Sequence, residues 1–148
     1  MARLSDTEAA EKLSRGRARM LPVMAILLIT QQGAYFSQSQ AERLVDHVRI
    51  GAWFVLSAVL LLALVNGGAW IYPKRVRDLA NDESTRAHRD KALKLGFINA
   101  MVTCLFLYLI SMVTRVEARE AIHVITTVGL ASALLSFGIM ERQAFKDG

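Results

Sequence analysis

Ile50 to Tyr72 reads IGAWFVLSAVLLLALVNGGAWIY, twenty-three residues without one charged side chain. As a helix this stretch rises about 34 Å, enough to cross a hydrocarbon core of about 30 Å with some tilt. Three further stretches have the same character, at about 20–36, 95–114 and 121–140. The chain of 148 residues therefore reads as a single membrane domain, 1–148, of all-α class. Its average composition, 53% hydrophobic and 21% charged, hides a segregation of the two classes into blocks that a soluble domain does not need.

The blocks between the spans set the topology. Fourteen Lys and Arg precede the first span, join the second to the third, or follow the fourth, and only Arg43, Arg49, Arg115 and Arg119 lie on the other side. The bias of basic residues toward the cytoplasm places both termini and the 73–94 connection inside. Short outer links then make two antiparallel hairpins, and an up-down-up-down bundle of four transmembrane helices is the expected fold. The net charge of +5 is explained by this flanking pattern, and no nucleic-acid partner is expected.

Several local signals refine the boundaries. Ser5 and Glu8 have capping-box spacing, predicting a short helix from about Asp6 at the membrane surface or in solvent. Pro22 falls in the first turn of the first span, where its missing N–H costs little. A secretory leader with a small-residue site at Ser39–Gln40–Ala41 is the competing reading. The seventeen-residue length, beyond a usual signal core, and the long basic leader favour an uncleaved anchor instead. Trp53, Trp70 and Tyr72 fit aromatic belts at the two interfaces. Pro73 stops the second span, and Asn81 or Asp82 caps a long helix from about Asp82 to Thr114, whose first turns project from the membrane.

No Asp, Glu, Lys or Arg lies within any span as drawn, which argues against proton-coupled antiport inside one protomer. Thr30–Gln31–Gln32 is the most polar point within a span, and helix-to-helix hydrogen bonding is its expected role. Asn66–Gly67–Gly68 permits close backbone approach or a kink. Gly96, Asn99 and Thr103 in the third span, and Gly129, Ala133 and Ser136 in the fourth, form small-residue stripes suited to packing. Lys74, Arg75, Arg77, Arg86 and Arg89 give the connection a basic cytoplasmic face, with His88 solvated among its charges. Cys104, the lone cysteine, cannot form an internal disulfide and is expected to pack.

Asn81 to Phe97, NDESTRAHRDKALKLGF, resembles the way uncharacterised small four-helix bacterial inner-membrane proteins begin their second hairpin: an acidic pair, then Arg, Arg and Lys-Ala running into a span. The resemblance covers about twenty residues. It implies membrane localisation and four helices, and it carries no activity.

The expected function is that of a non-catalytic, multi-pass inner (plasma) membrane protein, an accessory or regulatory subunit acting through helix packing and its basic face. Its expected partners are the lipid bilayer, another membrane subunit or a second copy, and a soluble cytoplasmic protein; no cofactor is called for. The alternative is a small oligomeric channel or transporter with Gln31, Gln32, Asn66 and Asn99 lining a path. A third reading has His47 and His123 as axial ligands of a haem.

Overall fold

The computed structural model describes residues 5–36, 44–68 and 73–147. Five helices account for nearly all of them: α1 Asp6–Phe36, α2 Leu44–Val65, α3 Lys74–Ala80, α4 Glu83–Ser111 and α5 Ala118–Asp147. No strand occurs among the described residues. Two of the helices, α4 and α5, are long and apolar enough to cross a membrane.

α5 is the axis of the molecule, packed along its length against α4 on one side and α1 on the other. Its buried residues His123, Thr127, Leu130, Leu134, Phe137 and Glu141 recur at alternating steps of four and three. α1 answers with Ala18, Ala25 and Leu28, all buried, and with the half-buried Leu21 and Gln32 at the same period. Such a repeat keeps one seam facing its partner along neighbouring helices. Contacts at the ends fix the direction. Arg17 meets Glu141 at one end of the seam, and Thr127 donates to Gln32 Oε1 at 3.1 Å at the other. α1 and α5 are therefore antiparallel, with a polar pair at each end of an apolar interior.

The α4–α5 seam is closer. A Cβ on Gly96 would stand 2.6 Å from Gly129 O and 2.7 Å from Ala133 Cβ, and one on Gly129 would stand 3.0 Å from Ala100 Cβ. Only the missing side chains allow the two backbones to come this near. α2 runs parallel to α5 and touches it lightly; its Trp53 indole stacks on the His123 ring at 3.8 Å between centroids, and its Leu60 and Leu64 belong to the same core cluster as Leu130 and Leu134.

α1 differs from the reading of a short surface helix followed by a span beginning near Met20. It is one continuous helix through the proline. The pyrrolidine ring removes one backbone hydrogen bond, yet it packs where Gly138 has no side chain: a Cβ there would lie 2.5 Å from Pro22 Cδ. The N-terminal half is not free in solvent either, since Ala10 is buried with Val76 and Ala80 of α3, and Leu13 packs against them. The capping box does form, with Ser5 N–H donating to Glu8 Oε2 at 2.9 Å and Glu8 N–H to Ser5 Oγ at 3.3 Å. Asp82 caps α4 by accepting from Thr85 N–H at 2.8 Å. The proposed belt residues Trp70 and Tyr72, and the site at Ser39–Ala41, lie outside the described residues.

Candidate functional site

The densest chemistry converges where α1, α3, α4 and α5 meet the end of α2. At its centre is Arg17, buried in spite of its charge. An ionised group withdrawn from water is tolerated when most of its donors are met, and both terminal nitrogens of this guanidinium find acceptors, while its Nε–H has none among the described residues. Nη1 donates to Gly67 O at 2.9 Å and to Asn81 Oδ1 at 2.8 Å. Nη2 donates to Ala80 O at 2.7 Å, Ser14 Oγ at 3.2 Å and Glu141 Oε2 at 3.4 Å. The face of Phe137 lies 5.8 Å from the guanidinium carbon, within cation–π range.

Local backbone geometry explains how these acceptors come together. α2 ends at Val65 and the chain turns through Gly67 and Gly68, both in the left-handed region at φ +66° and +67°. Only glycine takes two such residues in succession without steric penalty. The turn leaves Gly67 O aimed away from its own helix. α3 ends at Ala80, so its last carbonyls are unmet by helical N–H groups. Arg17 therefore lies at the carbonyl ends of two helices, where the aligned peptide dipoles favour a cation. Burial lowers its pKa from the ordinary value; the nearby charges of Glu141 and then Asp82 oppose that shift, while Arg89 adds to it.

Glu141 links a further helix. Its Oε1 lies 3.3 Å from His88 Nδ1. A carboxylate only accepts, so the proton of this contact sits on the imidazole. One carboxylate thus joins α5 to Arg17 of α1 and to His88 of α4, and one arginine joins α1 to the ends of α2 and α3. The arrangement can hold helix ends in register.

Neither Arg17 nor Glu141 stands out in the sequence, where both read as flanking charges, and His88 is half-buried rather than solvated. The available signal was their place in the sequence: each is the nearest charge but one, or the nearest, to the end of an apolar run, and antiparallel packing of α1 on α5 brings such positions to one level.

The other candidates are distributed through the bundle. Gly96, Gly129 and Ala133 are brought together in the α4–α5 seam. The hydroxyls of Thr103 and Ser136 donate to their own helices, at Asn99 O and Ser132 O. Gln32 accepts from Thr127 at one end of α1, about 22 Å along the helix from Arg17. Asn66 is exposed at the Arg17 end and donates to Leu62 O of its own helix. Gln32 and Asn66 therefore sit at opposite ends, with the half-buried Asn99 between their levels and Gln31 half-buried beside Gln32. His123 is buried under Trp53, and the side chain of His47 lies outside the described ones. Lys74, Arg75, Arg77 and Arg86 are exposed around α3 and the start of α4, and Arg89 is half-buried. Cys104 is exposed on α4, not packed.

Comparisons of the chain with family models, with curated proteins and with solved structures return no match.

Proposed function

We propose that the chain is a multi-pass membrane protein of four spans, with both termini and the α3 corner on the cytoplasmic side, acting non-catalytically as an accessory or regulatory subunit. The observation that carries this reading is the contrast between α4 and α5. In the most apolar stretch of each, 50% of α5 is buried but only 6% of α4. Phe97, Val102, Leu105, Phe106 and Leu109 are all exposed along one long helix. In water such a surface far exceeds what a stable monomer leaves uncovered; in a bilayer it is the ordinary face of a span. The basic residues around α3 then lie at the inner headgroups, where each adds about 1 kcal/mol of attraction to anionic lipid.

The subunit role follows from what is rigid and what is open. The Arg17–Glu141 node ties the inner ends of the helices, while α4 presents a continuous flank on which a second membrane protein can pack. A photoreactive amino acid at Phe106, activated in native membranes, tests this. The expected result is one discrete protein adduct that vanishes when Leu109→Arg is added. Adducts with lipid alone would overturn the subunit role, and recovery of the chain in the soluble fraction would overturn the membrane reading.

A further inference from the structure

Between α2 on one side and α4 and α5 on the other, a groove of about 560 Å³ opens along the flank of the molecule. That volume is within the ~300–1,000 Å³ of ordinary ligand sites. Its floor is Leu130 and Ala133 of α5, and its rim is Phe54 and Leu61 of α2 and Phe97 of α4. The wall is mostly apolar; its polar side chains are Thr126 of α5 and, one helical turn apart on α2, Trp53 and Ser57.

Those last two side chains are 8% and 7% exposed, and among the described residues neither Trp53 Nε1 nor Ser57 Oγ has a hydrogen-bond partner. The serine is unusual in its own fold. Thr30, Thr103, Thr114, Ser132 and Ser136 all return their hydroxyl to the carbonyl four residues earlier. Ser57 does not. Buried polar atoms are nearly always satisfied, and one that is not asks for a missing partner. The indole N–H is a donor only, and a hydroxyl donates as well, so both are met by a single acceptor such as a carbonyl oxygen.

Resting on the membrane reading above, we propose that this groove holds one acyl chain of a diacyl phospholipid, with the ester carbonyl accepting from Trp53 and Ser57. The lining suits that occupant: from Trp53 to Leu64 the groove follows α2 for about 16 Å and ends about one turn short of the Gly67 carbonyl that Arg17 binds. Trp53 marks the end remote from Arg17, so the chain enters from the outer leaflet. The two polar atoms are closed off from solvent, and α2, held lightly against α5, shifts outward to admit the carbonyl.

The test uses Trp70→Phe protein, in which Trp53 is the one tryptophan, in phosphatidylcholine vesicles containing a small fraction of chain-brominated phosphatidylcholine. The expected result is quenching of Trp53 that saturates at low brominated fraction and is reversed by excess unbrominated lipid. Ala58→Phe, which fills the groove, abolishes the saturable part; Ser57→Ala weakens it about fivefold; Val59→Phe, exposed and outside the lining, leaves it unchanged. Quenching that merely tracks the bulk brominated fraction, identical in Ala58→Phe, overturns the proposal, as does a groove cross-linked to a second copy of the chain. Protein that never enters the vesicles overturns the membrane reading with it, whereas insertion with unsaturable quenching overturns this inference alone.

Discussion

Arg17 and Glu141 stand 124 residues apart in the chain and 3.4 Å apart in the fold, with side chains 5% and 4% exposed. Removing one member of a buried ion pair strands the other, which costs about 3–5 kcal/mol. Arg17→Met loses the guanidinium with all its bonds and leaves Glu141 with His88 alone, so the full penalty applies. Glu141→Gln keeps an oxygen toward Arg17 and costs about half as much. Unfolding in mixed micelles measures both. If Arg17→Met lies within about 0.5 kcal/mol of the parent, the node is not what holds the helix ends.

The turn after α2 separates two glycines that look alike. Gly67 and Gly68 share a left-handed φ, which costs a side-chain-bearing residue about 1–2 kcal/mol. A Cβ at Gly67 also meets Asn81 Oδ1 at 2.6 Å, whereas the nearest atom to one at Gly68 is 3.8 Å away. Gly67→Ala therefore displaces an acceptor of Arg17 as well as straining the backbone, and its loss of stability exceeds that of Gly68→Ala. Gly68→Asn recovers part of the smaller loss, because asparagine tolerates this region. Equal destabilisation by the two alanines would show that Asn81 moves aside freely.

These two sites also mark what the amino-acid sequence reveals and what it hides. The all-helical class was legible because long uncharged runs have few other solutions, and the start of α4 was legible because Asp82 and Glu83 are local signals. Pro22 misled because its cost is local and its compensation is not: the space it needs is provided by Gly138, on another helix. The burial of Arg17 depends on carbonyls from Gly67 and Ala80, exposed only because two separate helices happen to end beside α1. Likewise Glu141 reads as the first residue of a polar tail, and only the continuation of α5 to Asp147 carries it into the interior.

Glycines within the helices divide by what surrounds them. At Gly16 and Gly51 an added Cβ would meet nothing within 4 Å, and glycine is about 1 kcal/mol worse than alanine in a helix interior. Gly16→Ala and Gly51→Ala are expected to stabilise by about 0.5–1 kcal/mol each. Gly96→Ala reverses the sign, because its Cβ must push Gly129 O and Ala133 away, an overpacking cost of about 1–3 kcal/mol. Thermal melts of the three variants in one detergent decide the matter; stabilisation by Gly96→Ala would mean that α4 and α5 have room to separate.

Ser84 and Glu117 flank α4, both exposed, one at its start and one in the turn that follows it. The helix between them is 29 residues, about 43 Å long, which exceeds the hydrocarbon thickness by enough to carry each end into water. Charge assigns the sides: Lys74, Arg75 and Arg77 lie beside the first end, and the turn at the second has arginines balanced by glutamates. In a Cys104→Ser background, a cysteine at 84 is expected to react with a membrane-impermeant maleimide only after the cells are opened, and a cysteine at 117 in intact cells. Reaction of both from one side would mean that α4 lies along the membrane instead of crossing it, and the inner position given to the Arg17 node would fall with it.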